Sequence, residues 1–406
     1  MKKRYFPAVR ILALLLFLFI ILLAPAIRAD GAADTAVACA ASLSPAGAAA
    51  LPAMPGWQGT GAFFPCGGTR VSRNAAGHVL RPLKTGAAAA GSYAGMRLIP
   101  GGTPFGLRLH TAGVLVVELS AIESGGHAVR PAQDGGVRVA DILLRINGRA
   151  VSSVEEATAQ MEGSGGAPLR LTLRRDGKEH TVTVTPCKSD ADGKYRAGMW
   201  LRDTAAGLGT LTFYDPESGL FGGLGHGVCD AACGALIPLG HGTVYTASVT
   251  GAVRGEVGKP GELRGTLGAR QIGQLVTNSA CGVFGVLQKS PRPDAAPLPV
   301  AAPDEVHAGA AKLYCTLGDG GVEEFSVEIA NPDCAGPDTR SFTVHVTDPG
   351  LLARTGGIVQ GMSGSPLVQD GRLVGAVTHV LIDDPTSGYG IYIGHMLDGR
   401  QMRVAA

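Results

Sequence analysis

The chain has 406 residues, room for two or three domains, with 61 glycines and only 5% aromatic residues. Such a composition predicts many tight turns, few helices and a mainly β architecture. A net charge of +2, with no basic patch interleaved with aromatics, argues against nucleic acid or acidic membrane surfaces as partners.

Met1-Lys2-Lys3-Arg4 and Arg10 make a basic start, followed by an uncharged run over residues 11–24. That run is short for a bilayer span and typical of a signal-peptide core. Residues 1–29 are therefore expected to be a signal peptide, cut after Ala26 or Ala29, or an uncleaved signal anchor. In both cases the body of the chain is exported, and an uncleaved anchor keeps it on the membrane. Residues 30–97 are rich in Ala and Gly without a sustained period. They read as a linker, with a short ordered patch over residues 57–64.

From residue 98 the texture changes. Alternation over residues 105–109 and the apolar run 113–119 predict strands. Residues 139–148 predict another, ending in an Asn147-Gly148 turn. A short helix follows over residues 153–161, with Ser153 as its cap and Glu155 and Glu156 in its first turn. Residues 169–173 and 180–184 alternate around an Asp176-Gly177 hairpin turn. This order resembles a PDZ domain of the bacterial-protease type over residues 98–187, most closely at residues 141–148. Ala140 stands where that family usually has Gly before the Asp. The resemblance implies capture of peptide C-termini by strand addition. The carboxylate loop would be Gly102, Thr103, Pro104, Phe105 and Gly106, leading into a strand that begins at Leu107.

A second region spans residues 190–402, opening with a polar linker at residues 190–196 and turning β-rich from Gly198. Gly223-Leu224-Gly225-His226-Gly227 places His226 in a glycine-walled turn. Residues 287–311 are Pro- and Ala-rich and read as a surface excursion. Strands resume at residues 311–317 and 323–329. Gly361-Met362-Ser363-Gly364-Ser365-Pro366 then feeds a hairpin with an Asp370-Gly371 turn. Glycines around a serine let the backbone approach a bound carbonyl, so the amides of Gly361 and Ser363 can face a developing oxyanion. The pattern resembles the nucleophile loop of chymotrypsin-like serine proteases, with Ser363 as nucleophile and Ser365 as its competitor. His226 precedes Ser363 by a barrel's length of chain, the chymotrypsin order, which makes it the general base. The implied fold is a double β-barrel. Met362 stands where trypsin-like enzymes carry the Asp of their activation switch, so that switch is expected to be absent.

The acidic member is harder to place. Asp348 is one candidate, yet it lies close before Ser363, whereas the orienting Asp of a double barrel usually lies nearer the histidine, here His226. It either orients His226, shapes the substrate pocket, or ends a strand before Pro349. Asp230 is a poorer candidate, and a Ser–His dyad stays open. His241 and His379 read as structural. Eight cysteines permit disulfides in an exported protein. Cys229-x-x-x-Cys233 lacks a second ligand pair, so no metal is read there, and no cofactor anywhere.

A PDZ-like region followed by Trp200-Leu201-Arg202-Asp203-Thr204-Ala205-Ala206-Gly207, the His226 turn, the Ser363 loop and Gly375-Ala376-Val377-Thr378-His379-Val380 resembles the SpoIVB family of sporulation serine peptidases. Asp384-Pro385-Thr386-Ser387-Gly388-Tyr389-Gly390 extends the likeness, which runs from about residue 98 to residue 396. It implies secretion from the forespore into the space between the two sporulation membranes. There the enzyme cleaves itself and a membrane-associated regulator, which triggers processing of the sigma-K precursor. C-terminal-processing peptidases use a Ser–Lys pair with the lysine downstream of the serine, but no lysine follows Lys312. HtrA proteases place PDZ after the catalytic domain, the reverse of this order. The non-enzyme alternative is an exported PDZ scaffold that has lost activity.

Overall fold

Phe105, Leu107 and Leu109 alternate along the chain, and each is at most 1% exposed in one shared core. They open β1 (Pro104–Leu119) in the computed structural model, which describes residues 93, 95–336 and 339–400. β1 pairs on one side with β2 (Met199–Tyr214), which pairs with β3 (Leu220–Gly223). On its other side β1 pairs with β4 (Leu239–Val253), and β4 with β5 (Glu262–Ser279). β6 (Gly282–Leu287) joins β5 to β3, so six antiparallel strands close a first barrel.

A second closed barrel follows, made of β7 (Gly309–Cys315), β8 (Glu323–Ala330), β9 (Phe342–Val346), β10 (Pro366–Gln369), β11 (Arg372–Val380) and β12 (Ser387–Tyr392). Its core includes Leu313, Ile329, Phe342, Leu367, Val377 and Met362. The connection between the barrels is not a surface excursion. Val300, Ala301 and Val306 are buried in the second core, and Leu298–Pro299 pairs with the strand Arg97–Pro100. An apolar run in a Pro-rich stretch packs as a strand edge wherever a partner strand is at hand.

The PDZ-like unit is an insertion rather than a preceding domain. It lies between β1 and β2, built on their outer halves, with the strands Ile142–Ile146, Leu169–Arg175 and Lys178–Val184. Val114, Val116, Leu143, Ile146, Ala157 and Leu171 fill its separate core. The long β1 serves both cores at once. Leu115 and Val117 face the first barrel, while Val114 and Val116 face the insertion, as strand alternation requires. The boundary expected at residue 98 therefore falls in the strand Arg97–Pro100, which pairs with β2 ahead of the barrel strand β1, and Met199 and Leu201 pack on the PDZ-like core.

Local readings translate directly. Asn147-Gly148, Asp176-Gly177 and Asp370-Gly371 all carry positive φ at both positions, the type I′ hairpin geometry. Ser153 accepts the Glu156 N–H at the start of the helix Val154–Glu162. Asp141 is buried, accepts the Arg138 N–H at 2.8 Å and pairs with Arg175 at 2.7 Å. Ala140 reaches this arrangement with φ of 71°. A left-handed alanine costs about 1 kcal/mol, so Ala140→Gly is expected to raise stability by roughly 0.5–1 kcal/mol in urea unfolding. The signal-like segment, the linker up to residue 92 and its patch at residues 57–64 lie outside the described residues. Among the described residues no helix is long and apolar enough to cross a membrane.

Candidate active site

The Ser363 loop is shaped by where its carbonyls are tied. Gln360 O accepts the Leu263 N–H at 2.7 Å, and Met362 O accepts the Ser365 N–H at 2.9 Å. In a planar trans peptide the N–H leaves the opposite edge. The amides of Gly361 and Ser363 are thus turned away from those anchors, and neither has a partner among the described residues. The other carbonyls are held by the first barrel. Thr210 Oγ1 donates to Gly361 O at 2.9 Å, Thr210 N–H to Ser363 O at 3.3 Å, and Thr212 Oγ1 to Gly364 O at 2.8 Å. Gly361 at φ of 93° and Gly364 at φ of 95° make this path available. The result is a fixed pair of free donors beside a serine, the form an oxyanion hole takes.

Ser363 Oγ donates to Thr378 O at 2.7 Å. Ser365 is fully buried, its hydroxyl beside the Cys315 thiol. Burial removes Ser365 from contention as nucleophile.

His226 is carried to the same cleft by the turn after β3. Leu224 and Gly225 both have positive φ, and the turn packs onto the second barrel. A Cβ on Gly225 would stand 2.9 Å from Thr378 Cγ2, and one on Gly364 2.4 Å from Leu224 N. His226 Nδ1 lies 2.9 Å from Gly227 O. A carbonyl only accepts, so Nδ1 carries the proton and Nε2 keeps the lone pair that a general base needs. Burial lowers the His226 pKa below its usual value, and the Gly227 carbonyl opposes that shift. A base with a lowered pKa is neutral, and active, to lower pH. The acid limb of kcat/KM is accordingly expected to fall below the ordinary histidine value of about 6.5, with a flat profile through neutrality.

His379 is a neighbour that its strand pattern did not reveal. Its ring centroid is 5.3 Å from that of His226. Burial, then His226 and Arg340, push its pKa down to about 4, so it stays neutral. His241 lies elsewhere, stacked on His110 at 4.3 Å.

Two sequence expectations are corrected. Asp348 caps the helix Pro349–Thr355. Its oxygens accept the N–H of Leu351 at 3.0 Å and of Ser326 at 3.2 Å, and the amide of Leu351 leads in holding its pKa low. None of the contacts described for His226 involves Asp348. It acts where its strand ends before Pro349, not as the orienting acid. Asn caps as well as Asp, so Asp348→Asn should change turnover by less than about tenfold, whereas Asp348→Ala should cost about 1 kcal/mol of stability. Asp230 is likewise engaged elsewhere, paired with Arg202 and accepting the N–H of Ala232 and Cys233. No carboxylate contacts His226 among the described residues, and its recorded neighbours are the Gly227 carbonyl and the His379 ring.

The second correction concerns the peptide loop. Gly102, Thr103, Pro104, Phe105, Gly106 and Leu107 do not form a carboxylate loop with a free strand edge. Gly102 N–H donates to Leu211 O, Gly102 O accepts from Thr316 Oγ1, and Thr103 O accepts the Leu211 N–H. β1 is paired on both sides from Phe105 to Leu109, which leaves no edge for an added strand. A Cβ on Gly106 would lie 1.9 Å from Leu267 Cδ2, so enlarging it wedges the barrel rather than blocking a groove.

The arm formed by β4 and β5 reaches across the cleft. Gly255 N–H donates to Thr355 O, Gly258 N–H to Ile382 O, and Gln360 N–H to Gly261 O. The arm thereby holds the start of the nucleophile loop and, separately, the turn at Ile382.

The family described as SpoIVB peptidase S55 matches residues 193–397, and the PDZ domain family matches residues 128–175. A putative zinc metalloprotease of Lactococcus lactis, LL2128, is 35% identical over 69 residues, 17% of this chain and 16% of that protein. The chain thus spans about a sixth of that curated relative. Among solved structures, the PDZ domain of the SdrC-like protein of Listeria monocytogenes is 20% identical with a TM-score of 0.19, covering 22% of this chain and 87% of the other. The Rv3671c protease of M. tuberculosis in its active form is 18% identical with a TM-score of 0.29, covering 48% and 72%. The HtrA-type protease AlgW with a tripeptide is 15% identical with a TM-score of 0.29, covering 48% and 55%.

Proposed function

The chain belongs to the SpoIVB peptidase S55 family and is a serine peptidase; from that premise we propose that it is an exported endopeptidase of sporulation, cleaving itself and a membrane-associated regulator to trigger sigma-K precursor processing. The observation that carries the catalytic part is Ser363 beside two amides without partners among the described residues, on a loop packed against the turn that carries His226, whose Nδ1 faces the Gly227 carbonyl. Ser363 attacks the scissile carbonyl, His226 Nε2 takes its proton, and the amides of Gly361 and Ser363 hold the oxyanion. His226 then returns the proton to the leaving amine, and water repeats the sequence on the acyl-enzyme.

Export rests on the basic start and the uncharged run over residues 11–24. Its place of action is then the space between the two sporulation membranes, with the chain anchored or released after self-cleavage. The PDZ-like insertion is assigned to holding peptide or protein substrates, on the match at residues 128–175. A fluorophosphonate probe tests the peptidase directly: it should label the folded protein and not Ser363→Ala. Loss of the N-terminal region over time, seen by mass spectrometry, should depend on Ser363. The developmental role predicts that expression in an endospore-former lacking its own family member restores sigma-K precursor processing. No restoration by a labelling-competent protein would remove that role.

One observation favours the scaffold reading. The Ser363 hydroxyl is given to the Thr378 carbonyl, and no hydrogen bond joins it to His226 among the described residues. On that reading the probe leaves the folded wild type unlabelled.

A further inference from the structure

We propose that Asn278 is a positioning residue for the general base, holding the peptide unit that orients His226 and so taking the role a carboxylate has in a Ser-His-Asp triad. The inference rests on the reading of Ser363 and His226 as nucleophile and base. It starts from the single peptide unit between Gly227 and Val228. The carbonyl oxygen of that unit lies 2.9 Å from His226 Nδ1. Its N–H donates to Asn278 Oδ1 at 3.2 Å. The two bonds leave opposite edges of one rigid plane. Asn278, the peptide and the imidazole therefore form one line of hydrogen bonds, and turning the peptide breaks both ends together.

The asparagine itself argues for this role. Asn278 is 4% exposed near the end of β5, and its Nδ2 has no hydrogen-bond partner among the described residues. A buried amide with an unused donor is worse for stability than an aliphatic side chain of similar size. Packing alone does not call for asparagine here, whereas an oxygen facing the Val228 N–H does. That N–H requires an acceptor, which fixes the orientation of the amide. Gly227 lets the plane sit close, since a Cβ there would stand 2.7 Å from Ser279 O and 2.2 Å from Leu236 Cδ1.

The surroundings leave this line as the orienting device. His379 faces His226 from β11 and is neutral, with Arg340 acting on it from beyond. Cys229 Sγ reaches the Gly227 oxygen at 3.7 Å, a weak contact. The carboxylates of Asp230 and Asp348 are held by other groups. When His226 accepts the Ser363 proton, its new charge strengthens the bond from Nδ1 to Gly227 O. Polarisation of the peptide then strengthens the bond from Val228 to Asn278.

Two variants test the proposal, Asn278→Leu and Asn278→Asp. The first removes the acceptor at similar volume; the second keeps an acceptor and adds a charge. Asn278→Leu is expected to lower kcat by roughly 10- to 100-fold with KM unchanged, the scale of a misplaced catalytic group. It should also move the acid limb of the kcat/KM profile to lower pH, because the carbonyl that raises the His226 pKa is no longer held. Asn278→Asp should recover part of kcat and move the limb to higher pH. A purely structural asparagine predicts lower melting temperatures in both variants with the limb unmoved, and that result would overturn the proposal. Nitrogen-15 NMR of labelled histidine reads the same point without turnover. His226 should be protonated at Nδ1 in the wild type and a mixture of tautomers in Asn278→Leu. Retention of the Nδ1–H form in that variant would also overturn it. If the fluorophosphonate fails to label the wild type, the peptidase reading falls, while the NMR arm still reports whether Asn278 holds His226.

Discussion

Ser363→Ala is expected to lower kcat by about four to six orders of magnitude and to abolish fluorophosphonate labelling, with the fold intact. Among the described residues the side chain lost makes one hydrogen bond, to the Thr378 carbonyl, whereas the loop is held by backbone groups of residues 360–365 bound to Leu263, Thr210 and Thr212. Little stability therefore depends on the hydroxyl, and all of the covalent chemistry does. Ser365→Ala is the matched control. Ser365 sits in the second core beside the Cys315 thiol, so its loss should change melting temperature and leave turnover within about tenfold. Equal loss of labelling in the two folded variants would undo the assignment of the nucleophile.

What the sequence makes legible is local. Turns with Asn-Gly or Asp-Gly, the Ser153 cap and the alternation of Phe105, Leu107 and Leu109 depend on neighbours in the chain, and they recur in the fold as read. Ser363 and His226 stand out in the sequence because glycines around a reactive side chain are an unusual local demand. The structure brings both turns to one cleft, through Gly225 against Thr378 and Gly364 against Leu224.

Long-range facts are the ones the sequence conceals. Alternation over residues 105–119 predicts strand, but not that one strand runs through two cores. The insertion of the PDZ-like unit follows from pairing between β1 and β2, which are separated by that whole unit in sequence. The same separation hides the double pairing of residues 105–107, and with it the reason they cannot form a peptide loop. Asp348 misleads for a related reason. An acid before Pro and Gly near a nucleophile loop fits both a triad member and a helix cap, and only the hydrogen bonds to Leu351 and Ser326 separate them. Thr210, Thr212 and Asn278 act through backbone groups of distant segments, and no spacing rule points to such residues.

Gly364→Ala is expected to cost at least about 3 kcal/mol of stability and to reduce kcat/KM by roughly 10³-fold or more. Two effects combine at this position. Its φ of 95° is strained for any residue with a Cβ. The added carbon would also stand 2.1 Å from Thr210 O, 2.4 Å from Leu224 N and 2.9 Å from Leu224 Cα. These are backbone atoms, so no change of rotamer relieves the clash. The first barrel has to withdraw from the loop, and the segments that withdraw are those that hold Ser363 and carry His226. Gly371→Ala separates the two effects. Gly371 also has positive φ, at 74°, but nothing lies within 4 Å of the place its Cβ would take. That variant should lose about 1 kcal/mol from backbone strain alone and keep its turnover. Urea unfolding and kcat/KM of both proteins make the comparison. If Gly364→Ala is no less stable than Gly371→Ala and cleaves as fast, the seam between β2 and the nucleophile loop does not hold the dyad together.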